Sequence, residues 1–205
     1  MKLYYAPGAC SLAPHIVARE AGLPIQLEKV DLKAHKTESG ADFFAINPKG
    51  YVPALQLDSG DVLAEAATVV QYVADQAPQG NLAPAAGTLE RYRLQEWLTF
   101  ISSEIHKGFG PLWNPSAPDA AKDMARQNLA KRFAYLDGVL ADRPFLMGEQ
   151  FTAADAYLFT VTNWSNIHNV DLKPYSNLQA YMHRVSSRPG VQEALRAEGF
   201  LKDAA

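Results

Sequence analysis

The one cysteine of the chain, Cys10, lies where an apolar strand gives way to a helix. Leu3 to Tyr5 is a short apolar run with two tyrosines, which is typical of a buried strand. A proline and a glycine interrupt this run, and Ser11 is in position to cap the helix that follows. The N–H groups and the dipole at a helix start favour a thiolate, so the position predicts a lowered Cys10 pKa. A buried, inert thiol is the alternative that these residues leave open.

Composition and charge exclude several classes of protein. The chain has 205 residues, a net charge of −3 and one cysteine, which suits one large domain or two small ones without an internal disulfide. No block of lysine and arginine points to nucleic acid as a partner. No apolar run approaches the ~18 residues that a membrane span needs. Prolines and glycine interrupt the apolar start, which argues against a secretion signal. We therefore expect a soluble, cytoplasmic protein.

The first half of the chain predicts a β-α-β-α-β-β-α order of elements. Residues 11–21 have the pattern of a helix, residues 26–32 that of a strand, and the polar stretch 33–40 that of a loop. A short helix over 42–46 is followed by a hairpin built on 52–57 and Val62-Leu63, and Glu65-Ala66 begins the next helix. The proline- and glycine-rich stretch 78–87 is the predicted linker between a domain over 1–77 and a second over 88–205.

Beyond the linker every strong pattern is helical. One apolar face predicts a long helix that ends at His106-Lys107-Gly108, and Phe109 to Pro118 is predicted as a loop. A second helix is expected over 124–140. Thr152 and Asp155 have the spacing of a capping box and begin a third helix, after which we expect two shorter ones.

Five motifs along the chain occur together in one known family. They are Ala9-Cys10-Ser11, Tyr51-Val52-Pro53-Ala54-Leu55, Glu65-Ala66, Glu104-Ile105-His106-Lys107-Gly108-Phe109 and Phe151-Thr152-Ala153-Ala154-Asp155-Ala156. In order and spacing they resemble the glutathione S-transferases, and the bacterial β-class in particular. The resemblance implies an α/β thioredoxin-like N-terminal domain joined to an all-α C-terminal domain, usually as a homodimer. It also implies glutathione as co-substrate, with no metal and no tightly bound cofactor.

The resemblance further implies roles for individual residues. Pro53 is expected to follow a cis peptide bond, so that the Val52 backbone pairs with the cysteinyl part of glutathione. Glu65 and the N–H of Ala66 are expected to hold the γ-glutamyl end. Cys10 and His106 are the expected catalytic residues near the glutathione sulfur, with His106 acting as a cationic donor. The remaining implied glutathione contacts are His35, Lys36, Thr99, Ser103, Glu104 and Lys107.

Three positions depart from the family pattern. His35 stands where close relatives have a lysine, Thr99 where they have an asparagine, and Ala66 where many have a serine. Lys36 is a candidate replacement for the missing charge. The hydrophobic co-substrate is expected to meet aromatic residues of the second domain, for each of which core packing is the alternative role. These residues are Phe109, Leu112, Trp113, Trp164 and His168.

Three functions fit these observations. The leading one is conjugation of glutathione to an apolar electrophile, a transferase activity of the EC 2.5.1.18 type. Detoxification, dehalogenation and peroxide reduction are all compatible with such a site. Glutathione-dependent thiol–disulfide exchange through Cys10 is a second function, and another glutathione would have to resolve the mixed disulfide. A non-catalytic glutathione- or ligand-binding or interaction module on the same fold is the third. Trp97, Phe100 and Phe133 are candidates for a homodimer interface or for the internal core.

Overall fold

The computed structural model describes residues 1–202. Its strands are β1 (Lys2–Tyr5), β2 (Gln26–Asp31), β3 (Lys36–Thr37), β4 (Ala54–Gln56) and β5 (Val62–Ala64). They form one sheet in the order β3-β2-β1-β4-β5, in which β1 and β2 are parallel and the other neighbours are antiparallel. The strands β1, β2, β4 and β5 confirm the predicted order, with α1 (Leu12–Glu20) as the crossover between the parallel pair.

The predicted loop 33–40 is wrong in one respect, because it contains the two-residue strand β3. Backbone bonds from Thr37 to Ala41 and from Glu38 to Lys29 hold this segment against the edge of β2. A run of two residues is too short to show the alternation by which strands are recognised in a sequence. The other helices of this half are α2 (Phe43–Ile46) and α3 (Ala66–Asp75).

The rest of the described chain is helical. Its α-helices are α4 (Leu89–Phe100), α5 (Gly110–Trp113), α6 (Asp119–Val139), α7 (Ala153–Thr162), α8 (Trp164–His168), α9 (Ser176–Ser186) and α10 (Pro189–Ala197). Three helices thus follow α7 instead of the two predicted. All ten residues of α7 are buried, and α1 packs against α3, α7 and α10, so the sheet-bearing half and the helical half share one core. This packing fixes the start of α1 against the helical half.

The capping box of α7 is present as predicted. The Thr152 N–H and hydroxyl donate to the same oxygen of Asp155, at 2.8 and 2.9 Å. The other Asp155 oxygen accepts the Leu146 N–H at 2.9 Å and the Tyr181 hydroxyl at 3.2 Å. A fully buried carboxylate therefore holds the start of the central helix.

The helical path does not end at Gly108. After α4 the chain makes a π-helical segment (Ile101–His106), then a 3₁₀ turn (Lys107–Phe109) and α5, so the predicted loop begins only after Trp113. Gly108 does not end a helix; it allows close packing against α6, because a Cβ at this position would lie 2.9 Å from the Leu129 side chain. A π-helical segment carries an extra residue per turn and often marks a functional site.

The predicted division into residues 1–77, 78–87 and 88–205 stays a prediction. Its last three residues, 203–205, lie outside the described residues. Within residues 1–202, no helix has both the length and the apolar character needed to cross a bilayer.

Candidate active site

The loop between β1 and α1 holds Cys10 at the start of the helix. The Ser11 hydroxyl does not cap α1 as predicted; it lies 3.2 Å from the Ala6 nitrogen and 3.3 Å from the Ala6 oxygen. Ser11 therefore forms hydrogen bonds within the β1–α1 loop and none that caps α1. Cys10 is 8% exposed, and its thiol donates to the carbonyl of Val52 at 3.1 Å.

The expectation of a lowered Cys10 pKa is wrong. Burial of the thiol and, to a smaller extent, the charge of Glu65 raise the Cys10 pKa to about 12. The backbone N–H groups of Cys10 and Ser11 and the charge of Lys107 lower this pKa, as the helix-start argument predicts, but they do not outweigh burial. The thiol of Cys10 consequently keeps its proton at neutral pH and is available as a hydrogen-bond donor.

Glu65 lies directly before α3 with a φ of +69°, a conformation rare outside glycine. Its carboxylate accepts hydrogen bonds from Lys49 Nζ and from the Tyr51 hydroxyl, both at 2.6 Å. These two bonds lower the pKa of Glu65. As the first residue of α3, Ala66 presents an N–H that has no partner in its own helix. A fixed carboxylate and a free helix-start donor therefore lie side by side.

Val52 and Pro53 lie next to Cys10, whose thiol contacts the Val52 carbonyl. The Val52-Pro53 peptide bond is cis, as the resemblance implied, and Val52 is buried. Lys49 and Tyr51 were given no role from the sequence. Their position directly before the Val-Pro pair could have indicated a role in the site. Their contact with Glu65, however, depends on how the β4–β5 hairpin brings the start of α3 back to them.

His106, at the end of the π-helical segment, is held by residues of α7 and α8. Its Nδ1 lies 2.6 Å from the Tyr157 hydroxyl, and the Trp164 ring lies edge-on at 4.9 Å. Burial, with the positive charge of Lys107, lowers the pKa of His106 to about 4. The expected cationic His106 is therefore wrong: it is neutral at pH 7, and Lys107 carries the positive charge near Cys10.

Four of the five residues predicted for the co-substrate belong to one aromatic cluster centred on Trp164. Phe109 and Trp113 lie 5.7 and 5.5 Å from the Trp164 ring, and His168 lies 4.2 Å from Trp113 and 5.9 Å from Phe109. Leu112 is half-buried beside Trp113 on α5. Trp113 is 48% exposed whereas Phe109 and Trp164 are buried, so Trp113 offers the open apolar surface.

Trp164 also connects this cluster to the Cys10 loop. The indole Nε1 donates to the Gly8 carbonyl at 2.8 Å. The Gly8 N–H donates in turn to the buried carboxylate of Glu198, at 2.9 Å, next to α10. Sequence reasoning missed Glu198, since an acid before a glycine at a helix end is typical of an exposed position.

Five other predicted site residues form no hydrogen bond with Cys10, Glu65 or His106 within residues 1–202. His35, with a φ of +51°, stacks on Phe44 at 4.3 Å, and Lys36 is exposed on β3. Thr99, Ser103 and Glu104 lie together farther along the chain.

These three residues bond elsewhere. The Ser103 hydroxyl donates to the Thr99 carbonyl at 2.9 Å. Glu104 pairs with Arg132 of α6 at 2.7 Å. Their assignment to glutathione stays a prediction.

Comparisons with known proteins agree over the whole length of the chain. Residues 8–76 match the model of the glutathione S-transferase N-terminal domain, and residues 100–189 match that of the C-terminal domain. The chain is 46% identical to glutathione S-transferase GstA of Escherichia coli O157:H7, over 98% of this chain and 100% of that protein.

Two solved structures have the same fold. A sphingomonad glutathione S-transferase in complex with glutathione has a TM-score of 0.95 and 47% identity, over 98% of this chain and 100% of its own. The bacterial beta-class glutathione S-transferase of Sphingomonas chungbukensis gives the same TM-score, identity and coverage.

Proposed function

Because this chain belongs to the glutathione S-transferase family, in its bacterial β-class, we propose that it conjugates glutathione to apolar electrophiles. In this reaction the glutathione thiol loses its proton to solvent, and the thiolate attacks the electrophilic carbon. The new carbon–sulfur bond replaces the bond to a leaving group, which departs with its electron pair. Glutathione is the co-substrate, and the chemistry needs no metal.

The observation that carries this proposal is the convergence of three parts of the chain at Cys10. The thiol contacts the Val52 carbonyl, the charges of Glu65 and Lys107 act on the Cys10 pKa, and Trp164 holds the loop that carries the thiol. Glutathione would lie along Val52 with its γ-glutamyl end on Glu65 and the N–H of Ala66. Its sulfur would then lie near Cys10 and His106.

The protonation states favour stabilisation of a bound thiolate by neutral donors. A free thiol with a pKa of about 8.5 is only a few per cent ionised at pH 7. The Cys10 thiol and the His106 ring can each donate a hydrogen bond, because the Cys10 pKa is raised and the His106 pKa is lowered. Lys107 adds a positive charge without the cost of ionising a buried imidazole.

The electrophile would bind against the aromatic cluster of Phe109, Trp113, Trp164 and His168. The exposed Trp113 ring offers a flat apolar surface, and the buried Trp164 ring lies between it and His106. Planar aromatic electrophiles suit such a surface. Detoxification of such compounds is the role we propose.

Thiol–disulfide exchange through Cys10 is the second candidate. The Cys10 thiolate would attack the mixed disulfide between glutathione and another thiol, form a Cys10–glutathione mixed disulfide and release that other thiol as its thiolate. A second glutathione would then restore the Cys10 thiol and leave as oxidised glutathione. The contact of Cys10 with Val52, along which glutathione would lie, supports this candidate because it places the thiol in the proposed glutathione site; burial raises the Cys10 pKa and so disfavours the thiolate that exchange requires.

Replacing Cys10 with alanine tests both activities. We expect Cys10→Ala to retain conjugation of glutathione to 1-chloro-2,4-dinitrobenzene within about tenfold, since a neutral donor contributes modestly. Reduction of a mixed disulfide should be abolished, because the nucleophile is gone. Initial rates at pH 7 measure both, and retention on immobilised glutathione measures binding. A wild-type protein with neither activity and no retention would support the non-catalytic module instead.

Replacing Glu65 with glutamine should weaken glutathione binding. The carboxylate is the acceptor for Lys49 and Tyr51, and in this proposal for the γ-glutamyl amino group, so we expect KM for glutathione to rise about tenfold. Because these bonds lower the Glu65 pKa, the wild-type KM should stay constant from pH 7 to pH 5. Glu193→Gln, an exposed acid on α10, is the control. An unchanged KM for Glu65→Gln would remove Glu65 from the binding site.

We also propose that the protein is a homodimer. Trp97, Phe100 and Tyr135 form an aromatic patch between α4 and α6, with ring centroids 5.5 to 6.2 Å apart, and Tyr135 is 53% exposed. Phe133, predicted as an alternative interface residue, is fully buried and belongs to the core. The exposed patch is the surface that a second copy would cover.

A further inference from the structure

Tyr157 is distant from His106 in sequence but contacts it directly in the fold. The two residues are 51 positions apart, and the Tyr157 hydroxyl lies 2.6 Å from His106 Nδ1. Tyr157 is 1% exposed, on a helix that is buried along its whole length. We propose that Tyr157 is a positioning residue: its hydroxyl donates to Nδ1 of His106 and thereby places the imidazole proton on Nε2. This inference rests on the proposed function and adds one residue to its mechanism.

The direction of this hydrogen bond follows from the number of protons available. His106 is neutral at pH 7 and carries one ring proton, while burial raises the Tyr157 pKa, so its hydroxyl is also neutral. If the ring proton were on Nδ1, the Tyr157 oxygen would accept it. The Tyr157 proton would then have to turn to the side chain of Ser102, the other hydrogen-bonding neighbour of its oxygen.

Of the two groups, the phenol O–H is the stronger acid and the unprotonated imidazole nitrogen is the stronger base, so the arrangement in which Tyr157 donates to His106 is the stable one. With the phenolic proton directed at His106, the phenolic oxygen can still accept a hydrogen bond from the Ser102 hydroxyl, a neighbour that lowers the Tyr157 pKa.

Two aromatic rings pack edge-on against the imidazole of His106. The Tyr157 ring is perpendicular to the imidazole at 5.8 Å, and the Trp164 ring lies edge-on at 4.9 Å. Trp164 is itself fixed by its bond to the Gly8 carbonyl at 2.8 Å. The Nε2 atom of His106 has no hydrogen-bond partner within the described part of the chain, and it is the nitrogen left for a ligand.

The tautomer decides what this nitrogen does. With the proton on Nε2, a neutral His106 donates to an anionic sulfur without the penalty of a buried imidazolium. With the proton on Nδ1, the Nε2 lone pair would face the thiolate and oppose its formation. Tyr157 therefore selects the tautomer that favours the reacting anion.

The ¹⁵N spectrum of histidine-labelled protein without glutathione tests this assignment. Protonated and unprotonated ring nitrogens differ widely in chemical shift, and a His106→Asn sample identifies the His106 signals. We expect wild-type His106 to carry its proton on Nε2 at pH 7, and Tyr157→Phe to give a mixture of both tautomers. Tyr175→Phe is the matched control, because the hydroxyl that it removes bonds, among the described residues, to the Ala130 carbonyl alone, at 3.0 Å.

Kinetics supply the second readout. We expect Tyr157→Phe to lower kcat about tenfold with KM for glutathione unchanged, and Tyr175→Phe to change neither. A wild-type His106 protonated on Nδ1 would overturn the inference, whether or not Tyr157→Phe folds. So would an unchanged tautomer and kcat in a folded Tyr157→Phe. Because the spectrum needs no substrate, an inactive wild type would overturn the proposed function and leave the tautomer assignment to stand on its own.

Discussion

Replacing Glu198 with alanine is expected to lower the free energy of unfolding by about 3–5 kcal/mol, because the change breaks a fully buried pair. One carboxylate oxygen lies 2.9 Å from His15 Nδ1, and both side chains are 0% exposed. Arg19 Nε donates to His15 Nε2 at 3.3 Å, so Nδ1 carries the proton that Glu198 accepts. The other Glu198 oxygen accepts the Gly8 N–H. Truncation leaves the buried His15 N–H and the partly buried Gly8 N–H without an acceptor.

Urea unfolding followed by circular dichroism measures this effect. Glutamine at position 198 should fall between wild type and alanine, because its single oxygen can serve only one of the two donors. Glu193→Ala, an exposed acid of the same helix, should change stability by less than about 0.5 kcal/mol. We also expect the folded fraction of Glu198→Ala to lose about tenfold in kcat/KM, since Gly8 precedes Cys10. A wild-type unfolding midpoint for Glu198→Ala would contradict both expectations.

Replacing Asp155 with alanine should be comparably destabilising, by about 3 kcal/mol at pH 7. Asp155 is fully buried and accepts hydrogen bonds from Thr152, Leu146 and Tyr181. The Thr152 and Leu146 donors would remain buried without their acceptor, whereas the Tyr181 hydroxyl would keep the backbone carbonyl of residue 155, at 3.1 Å. The start of α7 would loosen, and with it the helix that carries Tyr157.

The same carboxyl group should make stability depend on pH. Burial raises the Asp155 pKa to about 6 in the native state, above its unfolded value of 3.8. Between these values the native state keeps a proton that the unfolded state has lost, so this contribution to stability is greatest below pH 4. It falls as the pH rises to about 6, by about 2–3 kcal/mol. Unfolding of wild type and Asp155→Ala at pH 4, 5, 6 and 7 measures the difference.

A suitable control is Asp119→Ala, which removes an exposed first-turn acid from α6. It should cost only the helix-dipole interaction, at most about 1 kcal/mol. If the difference between wild type and Asp155→Ala grew with rising pH, the assigned direction of the Asp155 pKa shift would be wrong.

Local patterns were sufficient to predict most elements of the fold. The Thr152–Asp155 capping box lies within four residues and was correct, as was the order of the four longer strands. The extension of the helical path beyond Gly108 was missed because this glycine is needed for close packing against Leu129 on another helix and does not end its own helix. Sequence neighbours carry no information about such a contact.

The residues that form the site could be predicted from the sequence more reliably than their protonation states. Motifs identified Cys10, Glu65 and His106, but the Cys10 pKa is raised where a lowered one was expected, and the lowered His106 pKa makes the imidazole neutral where a cation was expected. Helix position and neighbouring charge can be read locally, whereas burial depends on elements far apart in the chain. Burial is the larger effect at both residues, so the sign could not be known before the fold.

The two bonds that hold Gly8 limit how this protein can be recombined with its relatives. Its N–H is bound by Glu198 and its carbonyl by Trp164, both more than 150 positions away. A chimera that joined this sheet-bearing half to a foreign helical half would break both bonds unless the new half supplied the same two side chains. The loop that carries Cys10 therefore depends on side chains from the other end of the chain, and exchange at the proline-rich linker would separate the loop from the two side chains that hold it.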